Sequence, residues 1–229
     1  MLQSLQLKYK CYMLNNQLNY IYLHGFASSS QSFKAQKFQE LFATKNIPLI
    51  IPDLNQNDFY NLTLTRQIKQ ISSYIENEPN SVVLVGSSLG ALVSAFIAEK
   101  EEKVKGLILI APAFYFFSRW LENLDKDTLN TWKDEGELPI YHYGYEQELP
   151  LSYQFIIDGK NYNETLLKRP VPTLIFHGKN DEVIPIQSSH DYAQPREWVK
   201  LIELDSDHSL NDRISDIWKQ IQDYGKLRI

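Results

Sequence analysis

"VVLVGSSLGALVSAFI" (residues 82–97) changes character at its centre. Val82 to Val85 form an unbroken apolar run rich in β-branched residues, the mark of a parallel strand buried on both faces. From Leu89 onward the larger apolar residues recur at helical spacing, at Leu92, Val93, Phe96 and Ile97, with small Ala91, Ser94, Ala95 and Ala98 between them. The break between strand and helix is Gly86-Ser87-Ser88-Leu89-Gly90, which puts Ser88 at the centre of G-x-S-x-G. A strand-to-helix turn this sharp needs residues with little side chain. Gly86, Ser87 and Gly90 meet that need, and the partial positive charge of the helix N-terminus favours an oxyanion formed at Ser88. A spectator serine in a tight turn is the competing reading, and the pattern alone does not exclude it.

The stretches on either side alternate in the same way. "NYIYL" (19–23) reads as a buried strand that stops at His24-Gly25, and "SFKAQKFQELFATKN" (32–46) as a helix. "PLIIPDL" (48–54) is strand-like. "LTRQIKQISSYIENE" (64–78) is an amphipathic helix with Leu64, Ile68, Ile71 and Ile75 on one side. "VKGLILIAP" (104–112), "VPTLIF" (171–176) and "WVKLIEL" (198–204) are further strands; a short helix falls at 188–195, and a last one carries Leu210, Ile214, Ile217, Trp218 and Ile221 inward. Upstream, Leu5, Leu7, Tyr9, Cys11 and Met13 alternate, which predicts a strand pairing with 18–23 across Asn15-Asn16 and makes Cys11 a half-buried strand residue. The expected fold class is α/β: a mostly parallel central sheet with helices on both faces. Residues 112–170 break the alternation with a helical stretch at 118–136 and the aromatic run "YHYGYEQELPLSY" (141–153). This segment is far longer than a crossover needs, so it reads as a cap or lid insertion within one domain spanning 1–229.

In such sheets ligands bind beyond the carboxyl ends of the strands. Ser88 meets that rule, and so do two later residues. Asp181 follows "TLIF" in "HGKNDEVIP", and His208 follows "WVKLIEL" in "DSDHSL". A serine hydroxyl needs a base to take its proton, and the base needs an orienting acid. The order Ser, Asp, His is that of α/β-hydrolases. Asp205 and Asp207 compete as the acid, but a chain neighbour rarely turns its carboxylate onto the adjacent ring, so Asp181 is preferred. His24 and His177 each precede a glycine after a strand and are assigned hydrogen bonds within their loops; His190 falls in a helix and His142 in the insertion. An oxyanion hole would use the Leu89 amide and a donor from "LHGFASS" (23–29), with Phe26 N–H preferred and Ala27 the alternative.

Together these residues resemble the α/β-hydrolase superfamily, and within it "YLHGFASSSQSFKAQKF", "IPDL" and "VGSSLGA" look like the small bacterial esterases of the YqiA/YcfP type. The likeness covers most of 20–112 and returns at 171–210. The matching motifs fall on Tyr22 to Phe26, Gly86 to Gly90, Asp181 and His208. The resemblance implies serine-dependent hydrolysis of carboxylic esters, often of short or medium acyl chains, without a cofactor; the triad itself is read as acting on an ester or thioester through an acyl-enzyme. The long segment 112–170 departs from the smallest members of that type. Its aromatics, among them Phe114, Phe117, Trp120, Trp132, Tyr141, Tyr143, Tyr145 and Phe155, either wall an acyl pocket or form the insertion's own core.

Composition narrows the alternatives. Net charge is −5 with no basic block, so nucleic acid is not an expected partner. No metal-binding motif is present, and one cysteine builds neither a thiolate site nor an internal disulfide, which points to a reducing, cytoplasmic setting. No signal peptide and no transmembrane run are expected. The expected partner is a small acyl ester or thioester. An amide hydrolase using the same triad, and a non-catalytic relative that binds a ligand, are the alternatives.

Overall fold

The computed structural model describes residues 18–225 and 227. The predicted pairing of 5–13 with 18–23, and Cys11 with it, lies outside the described residues.

The central sheet has six strands: β1 (Leu18–Leu23), β2 (Leu49–Ile50), β3 (Ser81–Ser87), β4 (Val104–Ile110), β7 (Thr173–Gly178) and β8 (Val199–Leu204). Their order is β2-β1-β3-β4-β7-β8, and every pairing is parallel. Side-chain alternation along these strands divides the core in two. Ile21, Leu23, Val82, Leu84, Leu107, Leu109 and Ile175 face one way, beneath α2 (Leu64–Asn77) and α3 (Leu89–Lys100). Tyr20, Tyr22, Val83, Val85, Ile108, Ile110, Leu174 and Phe176 face the other, against α1 (Phe33–Ala43) and α8 (Ile214–Asp223). Every residue of α3 from Leu89 to Ala98 is buried, so its small residues are steric requirements.

β2 and β3 flank β1 on opposite sides, so the strand order reverses there. Chain leaving β1 and chain leaving β3 therefore diverge, and a crevice opens at their carboxyl ends.

Between β4 and β7 lie α4 (Phe116–Asn123), α5 (Lys126–Glu135), an antiparallel hairpin of β5 (Glu137–His142) and β6 (Gln147–Ser152), and α6 (Gln154–Gly159). Helix α7 (Gln187–Ala193) joins β7 to β8. Three expectations need correction. The single helix at 118–136 is two, because the Asp125 side chain accepts from Thr128 N–H and starts a new helix. The aromatic run forms a hairpin whose faces sequence periodicity did not separate. "PLIIPDL" contributes only Leu49–Ile50 to the sheet; Pro52, without an N–H, ends the ladder.

Candidate active site

Ser88 occupies the N-cap of α3 with φ 52° and ψ −117°. A non-glycine residue in this region is strained by about 1–3 kcal/mol, so neighbours must hold it there. They do so through the backbone. Ser88 N–H donates to the Ile110 carbonyl at 2.9 Å, and the Ser88 carbonyl accepts from the amides of Ala91, Leu92 and Ala113. The flanking glycines permit the fit. A methyl on Gly90 would lie 2.2 Å from the Leu23 carbonyl oxygen, and one on Gly86 would lie 2.5 Å from Ala91 Cα. The elbow is thus pressed against the end of β1.

The strands β7 and β8 deliver the other two residues. A methyl on Gly178 would lie 2.4 Å from the carbonyl oxygens of Ser206 and Asp207, so the loops after the two strands pass in backbone contact. Lys179 and Asn180 amides donate to the carbonyls of Leu204 and Ser206. This contact sets His208 beside Asp181, with Nδ1 at 2.7 Å from Oδ2. His208 Nε2 is 3.2 Å from Ser88 Oγ. The structure therefore brings Ser88, His208 and Asp181 together in one hydrogen-bonded row. The competing carboxylates are engaged elsewhere: Asp205 Oδ1 accepts from Asn180, and Asp207 Oδ1 from the amides of Ser209 and Leu210.

The Asp181 side chain is fully shielded while His208 keeps 20% of its exposure. Burial works to raise the Asp181 pKa, but hydrogen bonds from His177 and His208, the His208 charge and the Ile184 amide outweigh it. The net effect holds the carboxyl well below its usual range. This carboxylate can orient an imidazole and stabilise its protonated form without taking the proton itself.

Leu89 opens α3, and Phe26 lies in the turn after β1. Among the described residues neither amide donates to another backbone group. The Phe26 loop is shaped by Ala27, whose φ is 48°, and by the hairpin, since Tyr143 N–H donates to the Ala27 carbonyl at 2.8 Å. The Phe26 ring is held between Phe59, Phe116, Trp120 and Phe155, with centroids 5.3 to 6.0 Å away. Phe114, Phe117, Trp132 and Phe155 are buried, so these insertion aromatics form a packed core that includes Phe26. Tyr141, Tyr143 and Tyr145 lie outside it on the exposed hairpin.

His24 accepts from Leu54 N–H at Nε2, and its Nδ1 lies 3.0 Å from the Gly25 carbonyl, a loop-bracing role. His190 pairs with Glu203 on the surface, and His142 is buried next to Asn55. His177 exceeds its assignment, because its Nε2 sits 3.1 Å from Asp181 Oδ2. Sequence reasoning also missed Lys34, whose Nζ donates to Ser87 Oγ at 3.0 Å. Burial pulls its pKa down to about 8, against the opposing charges of Asp207 and Asp181. The signal that marks it is position: it lies four residues before Phe38, on the buried stripe of α1. Among the described residues no cluster of histidine, cysteine or carboxylate side chains is arranged to hold a metal ion.

A family model described as "Uncharacterised protein family (UPF0227)" matches residues 19–225. The chain belongs to this family. The UPF0227 chain is 26% identical to the Mycoplasma pneumoniae protein named "Putative esterase/lipase 2", over 76% of its own length and 75% of that protein's. Solved structures share its fold. Mouse alpha/beta hydrolase domain-containing protein 10 aligns with a TM-score of 0.74 at 24% identity, over 91% of this chain and 90% of that one. Est1E from Butyrivibrio proteoclasticus, solved with ferulic acid bound, aligns with a TM-score of 0.75 at 20% identity, over 91% and 89%. The parallel sheet with helices on both faces is thus an α/β-hydrolase fold. No helix among the described residues is long and apolar enough to cross a membrane.

Proposed function

We propose that this protein is a serine hydrolase acting on carboxylic esters or thioesters through an acyl-enzyme. The observation that carries the reading is the row Ser88–His208–Asp181, at 3.2 and 2.7 Å, on a strained elbow at the sheet's switch point. The likeness to a protein named as an esterase/lipase supports the ester substrate class.

In this mechanism Ser88 Oγ attacks the acyl carbon as His208 Nε2 takes its proton. Asp181 holds the ring with Nδ1 protonated and stabilises the imidazolium. The Leu89 and Phe26 amides receive the charge on the tetrahedral oxygen. Collapse breaks the bond to the alcohol or thiol, which leaves with the proton from His208. Water, deprotonated by the same ring, then attacks the acyl-serine, and Ser88 recovers its proton as the acid departs. Residues 112–170 act as a cap whose aromatic core fixes Phe26 and so the oxyanion loop. The single cysteine supports a reducing, cytoplasmic setting.

Treatment with a fluorophosphonate probe tests the reading. Wild type and Ser87→Ala take one adduct, and Ser88→Ala takes none. A wild type that stays unlabelled favours a ligand-binding relative instead. Parallel turnover of an aryl ester and the matching anilide separates ester from amide cleavage, with the ester expected to dominate.

A further inference from the structure

Asp181 serves two histidines. Its Oδ2 lies 2.7 Å from His208 Nδ1 on the solvent side and 3.1 Å from His177 Nε2 on the interior side. Its Oδ1 accepts the Val183 and Ile184 amides at 2.9 and 2.7 Å. The His177 ring is fully buried, and its Nδ1 is 2.7 Å from the Oγ of Ser189, also fully buried. Two rows of Ser–His–Asp therefore meet at one carboxylate. The outer row ends at the half-buried nucleophile, the inner one at a serine no substrate reaches.

The proton on the inner ring is placed by its neighbours. His177 Nε2 faces two acceptors, Asp181 Oδ2 and the Ile184 carbonyl at 2.9 Å, so it carries a hydrogen. In the neutral ring Nδ1 is then an acceptor, and Ser189 O–H donates to it. The Nε2 hydrogen is bonded to the Ile184 carbonyl, and Asp181 Oδ2 lies 3.1 Å from the same nitrogen.

We propose that His177 is a positioning residue for the reaction: its Nε2–H, bonded to the Ile184 carbonyl, also faces Asp181 Oδ2 at 3.1 Å and takes up part of the carboxylate's charge, which sets how strongly Asp181 holds His208 in its protonated form. This rests on the serine-hydrolase reading above. A carboxylate that shares one oxygen between two donors attracts each less than it would alone. Without the inner donor the whole of that oxygen turns to His208. The ring then holds its proton to higher pH and is a poorer base near neutrality. The other charged groups facing the pair are Lys34 from α1, Asp207 from the loop after β8 and Glu182 beside Asp181. They are the same in every variant compared, so they cancel.

The test follows the His208 ring titration by NMR, together with the pH profile of kcat/KM on an aryl ester, in wild type, His177→Phe, His177→Gln and Ser189→Ala. His177→Phe keeps ring volume and removes the donor, so the midpoint rises by about one pH unit and the acid limb of kcat/KM moves with it. His177→Gln keeps an N–H donor and moves it by less than half as much. Ser189→Ala weakens the inner donor and gives a small rise. A purely structural role lowers thermal stability and kcat at every pH and leaves the midpoint in place, and that result overturns the proposal, as does a downward shift. If His177→Phe does not fold, Ser189→Ala decides: a rise supports the proposal and an unchanged midpoint overturns it. A wild type that takes no fluorophosphonate sinks the hydrolase reading and this proposal with it, whereas an unchanged His208 midpoint in the variants of a labelled wild type overturns this proposal alone.

Discussion

The carboxyl ends of the central strands and the insertion between β4 and β7 hold their residues by different means. At the strand ends, position comes from the backbone. Ser88 and the loops that carry Asp181 and His208 are fixed by main-chain hydrogen bonds and by glycines that let one loop touch the next. In the insertion, position comes from side chains. Phe26, Phe116, Trp120, Trp132 and Phe155 pack ring against ring, and the Trp132 indole donates to the Leu151 carbonyl. Backbone placement tolerates almost no change in shape but leaves the surface side chains free. Ring packing spreads its energy over many contacts and fails by loosening.

That contrast can be broken in several places. The largest effect belongs to the acid. Asp181→Asn keeps the shape but loses the charge, and kcat on an aryl ester falls by about 10⁴-fold. Asp205→Asn and Asp207→Asn, whose carboxylates bond Asn180 and the Ser209 amide instead of His208, change it by no more than a few-fold. If either of these proves the damaging change, the acid is misassigned. Next comes Phe155→Ala. It empties a fully buried site between Phe26, Phe117 and Trp120, and chemical denaturation should show a loss of about 4 kcal/mol. Because Phe26 loses a neighbour, kcat falls as well, by about 10-fold. A stability loss with unchanged kcat would separate the insertion's core from the proposed oxyanion loop.

Gly90→Ala probes the backbone side. Its methyl meets the Leu23 carbonyl at 2.2 Å, so elbow and β1 must part, at a cost of about 3 kcal/mol in the same denaturation experiment. Acid unfolding sharpens the comparison further. In the folded state Asp181 holds its proton less tightly than in the unfolded chain. Its stabilisation is therefore complete above the usual carboxyl pKa and is lost as pH falls through the lower folded-state value. A pH series of denaturation midpoints should show that acid-side loss in wild type and a flatter curve in Asp181→Asn. The smallest effect is Tyr143→Ala. The side chain is 74% exposed on the hairpin tip, so stability should change by less than about 0.5 kcal/mol. Its backbone bond to Ala27 survives the substitution, and kcat should hold within about two-fold.

The same contrast explains what the sequence made legible. Buried strands such as 82–85 and 107–110 announce themselves as apolar runs, and the rule that ligands bind at their carboxyl ends then picks Ser88, Asp181 and His208 from many polar residues. The insertion has no such rule. Its aromatics look alike whether they line a pocket or fill a core, and only three-dimensional packing separates buried Trp132 from exposed Tyr143. The break at Asp125 is readable in principle, since Asp is a favoured N-cap residue, but the apolar spacing on either side runs through it. His177 and Lys34 escaped for a different reason. Each acts through a partner distant in sequence, Lys34 on Ser87 and His177 on a carboxylate shared with His208, and no local period records such contacts.

The central claim is that Ser88 is the nucleophile, and the mass of the intact protein after fluorophosphonate treatment tests it most directly. One covalent adduct is expected on wild type and on Ser87→Ala, none on Ser88→Ala, and sharply slowed labelling on His208→Ala. An adduct on Ser88→Ala, or an unmodified wild type, would contradict it.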